Sequence, residues 1–309
     1  MKSFNRILVV LEHDKLHDSN LAIRRGVELA RENSASLTLM TVIPHPKKLV
    51  ADLVGVMSEE ELTDKFKAMR ESEIGALADT FRGDIAVQTV TSVGREFIET
   101  IRQAVLGEHD LLIKMARVEE TGFDSSDFHL MRKCPQPVWL VKSRKTKPKK
   151  LLAAIDLSLE KEEEGKQLNA RIMDLSLSLA SAYSADIEIL SCWSVYGESI
   201  LRSNGFFRFS DEQMNDLLTK EEHANLQKQK DFVARYAESN IIGHVIKGDP
   251  TVVIPEFVNG NEVDILVMGT VARTGIPGLL IGNTSETILN KVNTSVLTLK
   301  PHDFKSIVT

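Results

Sequence analysis

The sequence predicts an α/β protein made of two tandem copies of one domain, each built around a five-stranded parallel sheet. Short apolar segments of strand length alternate with segments whose apolar residues recur at helical spacing, which is typical of parallel, helix-covered sheets. The pattern occurs twice: Asp110 and Asp264 begin matching apolar strands, and each follows a glycine, Gly94 or Gly248, at the same interval. A repeat this long indicates a domain duplication, because solenoid repeats are much shorter.

The predicted strands follow this repeat in order. In the first copy they lie at 6–11, 36–43, 84–92, 110–115 and 137–143. In the second copy they lie at 150–156, 187–194, 241–247, 264–269 and 295–300. Helices are predicted in the intervals, because stretches such as 21–30 and 173–180 carry apolar residues at helical spacing. We therefore expect a first domain over residues 1–145 and a second over residues 146–309.

The composition of the chain excludes several classes of protein. The 309 residues are 42% hydrophobic, which is enough for two apolar cores, and no segment approaches the length of a membrane span. A net charge of −6 argues against nucleic acid as a partner. The two cysteines, Cys134 and Cys192, form no CxxC pair, and the N-terminus lacks a secretory pattern. These features predict a reduced, cytoplasmic protein.

The best-marked catalytic signatures are missing from the sequence. It contains no Walker A sequence, no zinc-type His/Cys cluster and no nucleophile elbow. His13 and His17 flank the first strand-helix turn, but isolated loop histidines usually face solvent. We therefore predict a binding protein that has neither catalytic residues nor a metal site formed by its side chains.

A glycine-studded loop follows the fourth strand of the second copy. It runs from Gly269 to Gly282 and leads into a helix for which Asn283 is the predicted N-cap and Glu286 its capping-box partner. A helix start offers unpaired N–H groups to an anion, and glycines let the backbone close on a phosphate. The alternative is a glycine-rich surface loop without a ligand.

This loop resembles the nucleotide loop of the universal stress protein family, written G-x2-G-x9-G-[S/T]. Gly269 and Gly282 occupy the first and last glycine positions. Ala272 stands where the middle glycine belongs, and Asn283 stands where a Ser or Thr usually follows, with Thr284 one place later. The resemblance extends over nearly the whole chain as a tandem pair of family domains.

The resemblance implies a site for ATP or a related adenine nucleotide in the second domain. Around the phosphates it places six residues of the loop and helix start: Gly269, Ala272, Arg273, Gly282, Asn283 and Thr284. Asp156 is placed near the adenosine end, although an aspartate there is also typical of a helix cap or turn. Mg²⁺ bridging the phosphates is compatible with this site.

The first copy is predicted to have lost the nucleotide site. Met115 takes the place of Gly269, and four acidic residues lie in the segment 117–127, where a phosphate would bind. Lys114-Met115-Ala116 and Phe128-His129 resemble the corresponding segments of tandem family members. At most one nucleotide per chain is therefore expected.

The functional hypothesis is a stress-response sensor or regulator that binds a small-molecule ligand. Two alternatives stay open: a binder of another phosphate-bearing or amphipathic small molecule, and a slow ATPase. Phe206, Phe207 and Phe209 are interpreted as core or interface packing, with ligand covering as the alternative.

Assembly is predicted from the two last strands. Single-domain relatives commonly pair their fifth strands, so 137–143 and 295–300 are expected to pair within the chain, leaving the short basic segment 143–149 as a tether. The full chain is then a compact monomer or a homodimer built on other surfaces.

Overall fold

The computed structural model describes residues 4–12, 16, 20–45, 58–117, 123–142, 147–203, 209–236, 240–270, 282–306 and 308. The first half contains strands β1 (Arg6–Leu11), β2 (Ser36–Ile43), β3 (Val87–Val93), β4 (Leu111–Met115) and β5 (Val138–Val141). Its helices are α1 (Leu21–Asn33), α2 (Glu59–Asp79), α3 (Glu96–Leu106) and α4 (Ser125–Lys133).

The second half repeats this order of strands and helices. Its strands are β6 (Lys150–Ala154), β7 (Asp186–Trp193), β8 (Ile241–Lys247), β9 (Ile265–Gly269) and β10 (Ser295–Leu299). Its helices are α5 (Glu163–Tyr183), α6 (Glu198–Ser203), α7 (Asp211–Val233), α8 (Pro250–Gly260) and α9 (Asn283–Lys291). Short 3₁₀ turns occupy Leu157–Lys161 and Ala234–Tyr236.

All ten strands form one sheet, in the order β3-β2-β1-β4-β5-β10-β9-β6-β7-β8. Neighbouring strands are parallel within each half, whereas β5 and β10 are antiparallel, with Trp139 opposite Leu297. The predicted α/β fold and the predicted pairing of the two last strands are confirmed. The predicted strand positions agree with the observed ones to within a few residues.

The residues that revealed the repeat have the same structural roles in both halves. Asp110 accepts hydrogen bonds from the Asn5 and Arg6 amides at the start of β1, and Asp264 does the same for the residues that begin β6. Gly94 and Gly248 have φ values of 148° and 150°, a region that side-chain-bearing residues rarely adopt. These positions therefore match because the backbone requires them.

Helix caps explain where several helices begin. Ser58 and Glu61 form a capping box at α2, and Ser210 and Gln213 form one at α7. Asn20 accepts a hydrogen bond from the Ala22 amide at the start of α1. These side chains satisfy amides that the helices themselves leave unpaired.

Helices cover both faces of the sheet, and each face carries an apolar core that spans the two halves. One core lies under α1, α2, α5 and α7, and the other under α3, α4, α8 and α9. Within β1, Ile7 and Val9 belong to the first core, whereas Leu8 and Val10 belong to the second. Such two-sided burial explains the continuous apolar strands in the sequence.

Two equivalent lysines reach across the junction between the halves. Lys142 directly follows β5, and its Nζ donates to the Val292 carbonyl at the end of α9 over 3.3 Å. Lys300 directly follows β10, and its Nζ donates to the Met131 carbonyl in α4. Each half therefore caps a helix end of the other half.

Across the described ranges, every helix is too short or too polar to span a bilayer.

Candidate functional site

The second half brings several predicted residues to one edge of the sheet. Asp156 follows β6 and Gly269 ends β9, and these parallel strands pair with Ala154 opposite Met268. Helix α9 begins close by, because the Gly282 amide donates to the Thr270 carbonyl over 3.3 Å. We call the space between Asp156, Gly269 and the start of α9 the second-half crevice. Ligands of open α/β sheets bind at this carboxyl edge.

The N-cap of α9 is Gly282, so the prediction that Asn283 caps this helix is wrong. Gly282 has extended backbone angles, φ −60° and ψ 139°, and Asn283 is the first helical residue. Glu286 then lies one residue too far along for a capping box, and it pairs instead with Arg132 of the first half. No described side chain caps α9. Its first amides are therefore suited to an external anion.

The remaining loop residues divide into described and undescribed positions. Gly282 is buried, whereas Asn283 and Thr284 are exposed on the first turn of α9. Ala272 and Arg273 lie outside the described residues, as does the whole segment 271–281. The structure therefore describes the two ends of the loop, Gly269–Thr270 and Gly282.

Gly269 is held by packing and by a hydrogen bond. A Cβ at this position would lie 2.8 Å from Leu168 Cδ2, the tip of a side chain that can rotate. The Ser285 hydroxyl donates to the Gly269 carbonyl over 3.1 Å. Ser285, which the sequence analysis did not single out, thus ties the first turn of α9 to the end of β9.

Asp156 caps the 3₁₀ turn that follows it. Its Oδ1 accepts hydrogen bonds from the Ser158 amide at 3.0 Å and the Ser158 hydroxyl at 2.6 Å. Burial raises the pKa of the nearby Cys192 thiol to about 12, with Asp156 and Asp249 adding to the rise. The β6–β7 side of the crevice is therefore acidic, which suits hydroxyl or amine donors of a ligand better than its phosphates.

No metal cluster is present among the residues with described positions. None of their His, Cys, Asp and Glu side chains gathers in a group of three that could hold an ion. A divalent ion in the crevice would thus need most of its ligands from a phosphate and water.

A buried ammonium lies next to the start of the loop. Lys300 is 2% exposed, and its Nζ donates to the Thr270 hydroxyl as well as to the Met131 carbonyl. Burial lowers the pKa of Lys300 to about 7, with the nearby Cys134 thiol acting in the opposite direction. The sequence analysis missed this residue. Its place at the end of the last strand, shared with Lys142, was the available signal.

The equivalent crevice of the first half contains an ion network of its own. Glu12, the counterpart of Asp156, accepts a hydrogen bond from Arg117 Nε over 2.9 Å. The same guanidinium pairs with Glu96 and, over 3.4 Å, with Asp124. Arg117 therefore occupies the space between the end of β1 and the start of α4. In the equivalent space of the second half, no described cation is found.

Two aspartates fill the helix start in the first half. Asp124 caps α4 by accepting from the Asp127 amide over 2.7 Å, and Asp124 is the counterpart of Gly282. Asp127, the counterpart of Ser285, is fully buried and pairs with Lys114 Nζ over 2.7 Å. Burial raises the pKa of Asp127 to about 6 despite this ion pair. The first half thus supplies negative charge where the second half leaves a helix start uncapped.

The comparisons with known proteins agree with this tandem arrangement. The model of the Universal stress protein family matches residues 3–142 and again residues 148–300. Universal stress protein E of Salmonella typhi is 28% identical over 324 residues, covering 100% of this chain and 98% of the relative. Universal stress protein E of Escherichia coli is 27% identical, with the same coverage of both chains.

Solved structures share the fold over the full length of the chain. A universal stress protein from Pseudomonas aeruginosa matches with a TM-score of 0.71 and 25% identity, covering 98% of this chain and 95% of that one. A universal stress protein from Archaeoglobus fulgidus matches with a TM-score of 0.64 and 13% identity, covering 97% of each chain. The second similarity concerns the fold alone.

Proposed function

Because this chain belongs to the universal stress protein family, with one family match in each half, we propose that its second half binds ATP or a related adenine nucleotide. The protein would act in the cytoplasm as a stress-response sensor or regulator. The fraction of its sites that hold a nucleotide would report the nucleotide concentration. We place the boundary between the two domains at residues 145 and 146.

The proposal is carried by the contrast between the two helix starts. Asp124 caps α4 with a carboxylate, whereas the equivalent Gly282 leaves α9 without a cap from any described side chain. A helix start of this kind binds an anion through its amides and its partial positive charge. The same contrast supports one nucleotide per chain, because Asp124 and Asp127 would repel a phosphate in the first half.

Each predicted residue has a role in this proposal. The phosphates would lie against the helix start and the loop, where the assigned residues are Gly269, Ala272, Arg273, Gly282, Asn283 and Thr284. Asp156 would accept hydrogen bonds from the ribose hydroxyls, and Mg²⁺ would bridge phosphate oxygens. Arg273 would add positive charge beside the phosphates.

Regulation by binding fits the crevice better than turnover does. Its described acidic groups, Asp156 and Asp249, both serve as caps at the turns that follow them. A carboxylate oxygen that already accepts two hydrogen bonds within its own turn is poorly suited to act as a general base for water. Any hydrolysis of ATP would accordingly be slow and would not set the function.

The proposal is tested by the ligand that the protein carries and by one substitution. Native mass spectrometry of the purified full chain should identify an adenine nucleotide, and titration calorimetry with ATP should give one site per chain. Gly282→Val should abolish binding, because the branched side chain would enter the phosphate position. The backbone at Gly282, with φ −60°, is one that valine adopts without strain.

Gly260→Val is a matched control, because a Cβ at Gly260 meets no heavy atom within 4 Å. It should bind ATP as the wild type does. ATP affinity within about threefold of wild type in Gly282→Val would place the site elsewhere, since a tenfold change corresponds to only about 1.4 kcal/mol. A lipid or a non-adenine phosphate compound as the carried ligand would favour the alternative binder.

A further inference from the structure

The second half buries a positive charge beside the crevice without a carboxylate to balance it. Lys300 is 2% exposed, and its Nζ contacts the Met131 carbonyl, the Thr270 hydroxyl and the face of the Phe304 ring, 5.2 Å from the ring centroid. Within the described part of the chain, no ion pair includes Lys300. A buried ammonium is costly unless an anion compensates it.

The first half has a carboxylate near the equivalent lysine. Lys142 holds the same position after β5 as Lys300 holds after β10, and burial lowers its pKa while the charge of Asp127 acts in the opposite direction. Asp127 itself pairs directly with Lys114. Asp127 corresponds to Ser285 in the second half, where the side chain is neutral. The second half therefore keeps the lysine after its last strand and lacks both the carboxylate and the lysine that pairs with it, which Met268 replaces.

A negative charge that balances Lys300 would lie at the start of α9. Thr270 connects Lys300 to that point, because its hydroxyl accepts from Lys300 Nζ and its carbonyl accepts from the Gly282 amide over 3.3 Å. Ser285 lies on the same turn and donates to the Gly269 carbonyl. The buried ammonium and the uncapped helix amides thus lie on either side of one threonine.

We propose that Lys300 is a phosphate-recognition residue of the second-half crevice, where the ligand's phosphate supplies the negative charge that Asp127 supplies in the first half. The inference rests on the proposed nucleotide function and extends it to the part of the ligand that is recognised. Lys300 acts across Thr270 by its charge, so it discriminates phosphorylated ligands from the free nucleoside. Screening by water is weak at this depth, which keeps the attraction strong.

The test compares three probes on the full chain by titration calorimetry: ATP, adenosine and inorganic tripolyphosphate. Lys300→Met keeps an unbranched apolar side chain of similar length in the buried site. It should weaken ATP and tripolyphosphate binding at least tenfold and leave adenosine binding within twofold. Lys142→Met, the equivalent change in the first half, should leave the binding of all three probes within twofold.

A second measurement uses the wild type and does not depend on the folding of a variant. A phosphate beside Lys300 favours its charged form, so ATP binding at pH 8 should take up protons, measured as a dependence of the binding heat on buffer ionisation. Two other charged or titratable groups lie near Lys300. The Cys134 thiol acts on its pKa, and Arg171 donates a hydrogen bond to the carbonyl oxygen of Lys300 over 2.8 Å. Cys134→Ser should retain the proton uptake, and adenosine should cause none.

The outcomes separate the two proposals. ATP affinity within threefold of wild type in Lys300→Met, or no proton uptake by the wild type, would overturn the role of Lys300 while leaving nucleotide binding intact. Lysine-dependent binding of tripolyphosphate without binding of adenosine would support Lys300 and remove adenine from the proposed function. If the wild type binds neither ATP nor tripolyphosphate, both proposals fail.

Discussion

Trp139 and Leu297 lie opposite each other at the centre of the antiparallel contact between β5 and β10. Val138 faces Thr298 on one side of this pair, and Leu140 faces Val296 on the other. The two halves are therefore related by an approximate two-fold axis at the Trp139–Leu297 pair. Both residues are at most 1% exposed, so the junction is part of the core.

This junction predicts the behaviour of the isolated second half. Without the first half, residues 147–309 would expose the apolar edge of β10 and the Lys300 side chain. Unpaired apolar edges favour association with another chain. The fragment should form homodimers or aggregate in light-scattering measurements, whereas the full chain should not use this edge. A well-behaved monomeric fragment would mean that β10 needs no partner.

The buried pair in the first half predicts a non-additive effect on stability. Lys114→Met leaves the Asp127 carboxylate buried without its partner and should lower the free energy of unfolding by about 3–5 kcal/mol. The double variant Lys114→Met/Asp127→Ser copies the second-half residues Met268 and Ser285, and it should recover most of this loss. Urea denaturation of both variants measures the coupling, and additive losses would contradict the assignment.

Lys300 predicts a pH dependence of stability. Its folded pKa of about 7 lies below the ordinary lysine value of 10.5, so between these limits the unfolded chain holds the extra proton. The stability contribution of Lys300 is complete above pH 10.5 and is lost as the pH falls through 7. Relative to Lys300→Met, the wild type should gain up to about 1.4 kcal/mol per pH unit between pH 7 and 10. Urea denaturation at several pH values measures this difference, and equal slopes would contradict it.

The cysteines predict a footprint of the ligand. Cys192 is partly exposed and its thiol is influenced by Asp156, whereas Cys134 is 1% exposed. Alkylation by a maleimide should therefore spare Cys134 and modify Cys192 in the native protein, although slowly, because the raised pKa of Cys192 leaves little thiolate. Saturating ATP or adenosine should slow the modification of Cys192 about fivefold or more, as measured by mass spectrometry. An unchanged rate would show that the ligand binds away from the β6–β7 side.

The sequence predicted the fold well because its signals are local. The apolar strands are buried on both faces, and the repeated residues Asp110, Asp264, Gly94 and Gly248 report requirements of the backbone. The predicted cap Asn283 failed by one position, because Gly282 already has extended angles and α9 begins directly after it. Asn283 was predicted because asparagine is among the preferred N-cap residues.

The charges of the site were less accessible from the sequence. Lys300, Ser285 and Arg117 acquire their roles from residues that are distant in the sequence, and Met131 contacts Lys300 only when the halves pair. Asp156 caps the turn that follows it, which was one of the two roles expected for it, and its contact with a nucleotide stays a prediction.

Because the two halves are joined in one chain, the residues of one crevice can change without changing those of the other. In a dimer of identical subunits, any residue acquired at one site appears at the other, so a site closed by its own arginine would be closed twice. Here Arg117 and its carboxylates occupy one crevice while the start of α9 keeps no cap from a described side chain. Duplication within one chain thus allows the two copies to diverge, so that side chains can close one crevice while the other keeps an uncapped helix start.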